Sequence, residues 1–215
     1  MADAKPISSP AEPGSRLNLS GDPLPDAHLY HSVFGALQYV TITRPEISYA
    51  VNRVCQFMQS PTMVFLDAGW ISDLDDSRSQ HGFALFYGGN FISWSSRKQK
   101  ILARSSTEAE YRALAFATTE LIWVQQLISE LRAPLTSPPI VLCDNLSAQF
   151  LSRNPVIHQR PKHIRLDYHF VREKVEDQSL VVRYVSSQNQ IADIFTKAVG
   201  TTRFLNLRSK LMVRS

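Results

Sequence analysis

Asp67, Glu110, Asp144 and Asp193 are carboxylates set where strands and helices begin or end. Four such side chains brought together would repel, because like charges within about 4–6 Å disfavour one another's ionisation. A pair of divalent cations about 3.5–4 Å apart resolves that repulsion, and it is an arrangement that cleaves phosphodiesters. Metal-dependent phosphodiester hydrolysis is therefore the chemistry these residue types would support.

Local sequence places each acid on an element. MVFLD (63–67) is a short apolar run that reads as a buried strand ending in Asp67, and PIVLCD (139–144) reads the same way and ends in Asp144. Sites in open α/β sheets gather beyond the carboxyl ends of strands. A single strand-end Asp is more commonly a turn or helix cap, and Asp144 competes for that role at the helix starting near Asn145. Glu108 and Glu110 open a long helix expected over about 108–131, with Ser106 or Thr107 as its cap. Glu110 shares a face with Leu114, Ala117 and Leu121, so it is expected to point toward the sheet. Glu108 lies roughly 200° away and is expected near solvent, favouring the helix dipole. Asp193, in IADIFTK, reads either as a first-turn helix acid or as the fourth member of the quartet.

The remaining segments supply the frame. Residues 1–27, rich in Pro, Ser, Ala and Gly, read as a disordered lead-in. Residues 28–60 read as a helical hairpin. Its first helix covers 28–42, and Pro45 sits in the first turn of its second with Thr43 as N-cap. HGFALFYGG (81–89) and FISWSS (91–96) read as strands joined at Gly88-Gly89, making with MVFLD a three-stranded antiparallel meander. NLSAQFLSR (145–153) reads as a short helix, HIRLDYHFVREKVED (163–177) as an amphipathic one and LVVRYV (180–185) as a fifth strand. QNQIADIFTKAV (188–199) and the tail from Phe204 read as further helices. The order predicts a mixed α/β layer architecture around one central sheet.

Bulk properties bound the function. The 215 residues carry a net charge of +4 and 44% hydrophobic content, which suits one domain of ordinary size with extra segments or two small domains. A modest basic excess fits a polyanionic partner and equally a plain basic surface. Cys55 and Cys143 make neither a metal spacing nor a disulfide framework, which points to a reducing compartment, with Cys143 as a small buried strand residue. No apolar run reaches the roughly 18 residues of a membrane span, and the N-terminus lacks a secretory apolar stretch. The expectation is an intracellular protein of cytoplasm or nucleus, neither membrane-bound nor secreted.

FLDAGW, SSRKQKILARSSTEAEYRALA, VLCDNLSA, RPKHIRLDYHFVRE and QNQIADIFTK, in that order, resemble the ribonuclease H domain of copia-type retrotransposon Pol polyproteins. YHSVFGALQYVTITRPEISYAVNRVCQFM (30–58) resembles the end of the reverse transcriptase that precedes that domain. The resemblance implies a ribonuclease H-like fold: a mixed five-stranded sheet flanked by helices over 63–198, after an N-terminal helical hairpin (28–60), with a tail at 199–215. It implies endonucleolytic hydrolysis of the RNA strand of an RNA·DNA hybrid with two Mg²⁺ ions, Mn²⁺ being a substitute. By the same resemblance Asp67 would bridge both metals, Asp193 would complete the water-activating site, and Glu110 and Asp144 would hold the ion on the leaving-group side.

The chain also departs from that family. Pro61 and Asp67 are nearly adjacent where the family carries a connecting segment of several dozen residues. Gly69 stands where a second acid is common, and VSSQNQ has no histidine of the kind that precedes the last acid in many cellular enzymes; His169 is the nearest upstream. No aromatic-x-Asp-Asp polymerase motif occurs.

Arg97, Lys98, Lys100 and Arg104 form a basic run beside the helix bearing Glu110, read as phosphate-contacting or as a solvated loop. Ser105, Ser106 and Asn145 are placed either to bond the 2′-hydroxyls of RNA or to cap helices. Arg160, Lys162, His163 and Arg165 form a second, weaker basic group. Trp94 is expected to pack in the core. The competing reading of the whole chain is a catalytically inactive fragment that at most binds nucleic acid. An integrase-type nuclease would leave ADIFTK without a role.

Overall fold

The structure, a computed structural model, describes residues 7–11, 13, 26–56, 79–103, 105–133, 135–154 and 162–211. MVFLD, with Asp67, lies outside the described residues, as does Arg104. The described residues are mixed α/β and divide into two units, one formed by Met1–Lys100 with Ile191–Ser215 and the other by Ile101–Gln190.

In the first unit, α1 (Ala27–Thr43) is capped by Asp26, whose side chain accepts from the Leu29 amide. A single 3₁₀ turn (Pro45–Ile47) leads into α2 (Ser48–Cys55). Tyr30 of α1 donates its hydroxyl to the Val54 carbonyl of α2 at 3.1 Å, which closes the hairpin. Thr43 does not cap α2: its hydroxyl bonds back to Val40 at 3.2 Å, a local bond that competes with capping.

The strands β1 (Gln80–Tyr87) and β2 (Asn90–Lys98) pair antiparallel around Gly88 and Gly89. Both glycines have positive φ, +56° and +83°, as a two-residue hairpin turn demands. The stretch expected to form one helix over 188–199 is instead a 3₁₀ turn (Ser187–Asn189) and a single helical turn, α6 (Asp193–Thr196). The tail then forms α7 (Thr201–Lys210).

Phe195 explains the break. Its ring is fully buried, 5.8 Å from Trp94 and 6.5 Å from Phe91, so the chain turns to deliver it to the hairpin rather than continuing as a helix. Ser96 donates to the Phe195 carbonyl at 2.6 Å. Ile194, Val199, Phe204 and Leu207 complete this core. Ser9, within the stretch expected to be disordered, is buried and donates to the Val199 carbonyl at 3.0 Å.

Close approach at Gly82 makes that packing possible. A Cβ there would stand 2.6 Å from the Ser95 carbonyl oxygen and 2.9 Å from Phe195 Cβ. Gly82→Ala is expected to destabilise the fold by about 1–3 kcal/mol, the range for an over-packed core. A thermal midpoint equal to that of wild type would show that α6 does not lie so tightly on the hairpin.

The second unit is built on α3 (Ser106–Glu130), β3 (Ile140–Cys143), α4 (Leu146–Arg153), α5 (Lys162–Glu176) and β4 (Val181–Tyr184). The β3 and β4 strands pair in parallel, Ile140 against Val181 through Cys143 against Tyr184, with α4 and α5 in the connection between them. Parallel strands need such a crossover. Tyr111, Leu114, Cys143, Ile164, Tyr168, Val171 and Val182 form the core, with the Tyr111 and Tyr168 rings 4.1 Å apart. The four described strands thus stand as two two-stranded sheets.

Candidate functional site

Glu110 and Asp144 both belong to the second unit, and the charge of each reaches the thiol of Cys143. Glu110 is half-buried in the first turns of α3, and Asp144 is half-buried immediately after β3. The buried Cys143 directly precedes Asp144 at the end of β3. Its thiol is pushed up to about 11, first by burial and further by the Glu110 and Asp144 carboxylates, so both acids act on one sulfur. At neutral pH that sulfur stays protonated and supplies no thiolate. The donors gathered here are carboxylate oxygens.

Asp144 is not the cap of α4. Asn145 takes that role, its Oδ1 accepting from the Ala148 amide at 2.9 Å. The Asp144 carboxylate instead accepts from the Ser187 hydroxyl, at 2.9 Å to Oδ2. Sequence reading passed over Ser187, because a polar loop residue distant in sequence carries no periodic signal.

The helix α3 starts two residues earlier than expected. Ser105 is its cap, its Oγ accepting from the Glu108 amide at 3.1 Å, and Ser106 is exposed in the first turn. The placement of Glu108 corrects the expectation of solvent exposure. It is buried and pairs with Arg112 at 2.8 Å, one turn along the helix. Facing counter-charge offsets the cost of burying a carboxylate, and the expectation from helix angle alone ignored that partner. Arg112 in turn lies close enough to Asp167 to oppose the rise that burial imposes on its carboxyl.

Asp193 belongs to the first unit. It is buried at the start of α6, and both its oxygens are engaged. Lys197 lies 2.7 Å from Oδ1, and the Arg203 guanidinium of α7 bonds Oδ2. Arg97 and Lys100 are exposed at the end of β2 and beyond it, while Lys98 is half-buried and donates to Gln56 at 3.1 Å. Trp94 packs on Phe195, in keeping with a core role. His169 is exposed on α5.

Among the described residues, no group of three or more His, Cys, Asp and Glu side chains is placed to hold a metal ion. Mg²⁺, however, is ordinarily held by one or two carboxylates, water and substrate phosphate rather than by an all-protein cage. Glu110 and Asp144 fit that requirement in donor type and number. Asp193 fits it only if Lys197 and Arg203 give way. No helix among the described residues is long and apolar enough to cross a membrane.

The chain is similar to retrovirus-related Pol polyproteins of plant transposons. It is 42% identical to that of transposon RE1 and 41% identical to that of transposon RE2, both from Arabidopsis thaliana, in each case over 99% of this chain. It is 32% identical to that of transposon TNT 1-94 from Nicotiana tabacum over 95% of this chain. The chain spans 17%, 17% and 18% of the length of these polyproteins. The match to RE1 runs over 246 positions against 215 residues in the chain, so at least 31 positions have no counterpart here. No protein-family model matches the chain. No solved structure matches it either.

Proposed function

Because the chain belongs to the retrovirus-related Pol polyproteins of copia-type transposons, we propose that it is the ribonuclease H portion of such a polyprotein, with a remnant of the reverse transcriptase at 28–60. Its fold in this reading is the mixed five-stranded sheet flanked by helices, spanning 63–198. Its reaction is hydrolysis of the RNA strand of an RNA·DNA hybrid inside the cell, in cytoplasm or nucleus. The observation that supports the reading is the placement of Glu110 in the first turns of α3 and of Asp144 directly after β3, each near enough to the Cys143 thiol for its charge to raise it. These two acids were expected together from the resemblance.

Asp67, Glu110, Asp144 and Asp193 are the residues that would hold two Mg²⁺ ions, or Mn²⁺ in their place. Bound metal would supply an acidified water and charge stabilisation at the departing oxygen. The chain's own contribution is to fix the carboxylates and the substrate. Arg97, Lys98, Lys100 and Arg104 would contact phosphates. Ser106 and the amide Nδ2 of Asn145 would donate to 2′-hydroxyls, the Asn145 Oδ1 being committed to the α4 cap.

A second reading is an inactive fragment. Two observations favour it: the double pairing of Asp193 with Lys197 and Arg203, and the 31 or more positions of the relatives that have no counterpart here. The deciding assay incubates purified full chain with an end-labelled RNA·DNA hybrid, duplex DNA and duplex RNA, each with Mg²⁺ and with chelator. Cleavage of the hybrid's RNA strand alone, abolished by chelator, is the expected result. No cleavage of the hybrid at any Mg²⁺ or Mn²⁺ concentration would leave the fragment reading in place.

A further inference from the structure

The loop after β4 is fastened to three successive residues at the end of β3. The Gln190 side-chain amide donates to the Leu142 carbonyl at 3.3 Å. The Val185 amide donates to the Cys143 carbonyl at 3.0 Å. The Ser187 hydroxyl donates to Asp144 Oδ2 at 2.9 Å. The first two bonds go to backbone carbonyls, and the Val185 amide bond extends the parallel strand pairing. The third is different: it goes to a carboxylate, and it opens a 3₁₀ turn stiffened by its own bonds, Asn189 amide to Ser186 carbonyl at 2.8 Å and Asn189 side chain to Ser186 hydroxyl at 3.2 Å.

A half-exposed aspartate at a strand end is otherwise free to rotate about its terminal torsion, which is broad for Asp. One hydroxyl donor from a pinned turn removes that freedom. Groups that orient a metal-binding carboxylate in this way typically contribute 10–100-fold in metal affinity.

We propose that Ser187 is a positioning residue: its hydroxyl, held by the turn latched to β3, fixes the Asp144 carboxylate for a divalent cation. The inference rests on the reading of Asp144 as a metal-binding acid. It assigns a role to the very loop whose lack of histidine was notable in the sequence. Ser187 acts here through Asp144, not on substrate.

The test uses the full chain as wild type, Ser187→Ala and Ser187→Thr. Mn²⁺ is titrated and its free concentration followed by electron paramagnetic resonance, and thermal midpoints are taken in chelator. Ser187→Ala is expected to weaken Mn²⁺ binding about 10-fold with an unchanged midpoint in chelator, and Ser187→Thr, which keeps the hydroxyl, to restore affinity. Wild-type affinity in Ser187→Ala would overturn the positioning role while leaving the metal reading intact. A midpoint that falls in chelator for Ser187→Ala and recovers in Ser187→Thr, with Mn²⁺ binding unmoved, would make the bond purely structural. A wild type that binds no Mn²⁺ would overturn the metal reading itself, and the role of Ser187 with it.

Discussion

Asp144→Asn is expected to lower the rate of hybrid cleavage about 100-fold or more while leaving the fold intact, and Glu110→Gln to do the same. The magnitude follows from the position of these groups. Residues one step removed from a metal already cost 10–100-fold when changed, so a group that holds the ion itself should cost at least the upper end. The preserved fold follows from geometry. Asp144 is half-buried, and the Ser187 hydroxyl that now bonds its Oδ2 can donate equally to an asparagine carbonyl. The change therefore removes charge without orphaning a donor, which is the condition under which a buried or half-buried substitution stays cheap. Glu110→Gln is likewise close to isosteric on a 25-residue helix whose stability comes from Tyr111, Leu114 and Ala115 in the core. Single-turnover cleavage of a labelled hybrid at saturating Mg²⁺ measures the rate, and circular dichroism melting in chelator checks the fold. Cleavage within twofold of wild type in Asp144→Asn would remove that residue from the site. A matching loss of melting temperature would move the effect from chemistry to stability.

The parts of this arrangement legible in the sequence are those written in local pattern. Gly88-Gly89 between alternating strands specified the hairpin turn, and the apolar run before Asp144 specified β3 with Cys143 inside it. The long helix bearing Glu110 was legible from its apolar spacing and from a serine cluster at its start. Three consecutive residues able to cap, Ser105, Ser106 and Thr107, left the cap itself undetermined until Ser105 was seen bonded to the Glu108 amide. Illegible were the features set by partners distant in space or ignored in the counting of faces. Glu108 is buried because Arg112 is there to meet it, and a helical wheel that sorts carboxylates to water has no place for that pair. The expected helix over 188–199 is broken because Phe195 is claimed by Trp94 and Phe91, a hundred residues earlier. Ser187 was invisible for the same reason: its meaning lies in Asp144, 43 residues away.

Asp193→Asn is expected to be costly in a way that Asp144→Asn is not, and the contrast separates the two readings of the chain. The Asp193 side chain is only 4% exposed and binds two cations, Lys197 from the next turn and Arg203 from α7. Hydrogen bonds to charged groups contribute about 1.5–3 kcal/mol each in favourable cases. Here the cations are 49% and 37% exposed, so water screens them and can receive them when the acid is neutralised. A total of about 2 kcal/mol is the reasonable expectation, seen as a fall of the midpoint on the order of 4–8 °C for a chain of this length. Arg203→Gln should give part of that fall in chelator, since it loosens α7 from α6. The two readings then diverge on addition of Mg²⁺. If Asp193 holds metal, Lys197 and Arg203 compete with the ion for its oxygens. Arg203→Gln removes one competitor, so Mg²⁺ should raise the midpoint of the variant by more than it raises that of wild type, because a ligand that binds the folded state stabilises it in proportion to its affinity. If Asp193 serves only to join α6 to α7, the variant loses stability and gains no response to metal. A larger Mg²⁺ shift in Arg203→Gln than in wild type, absent in the double variant that also carries Asp193→Asn, is therefore the result that would make Asp193 a metal-binding acid rather than a structural one.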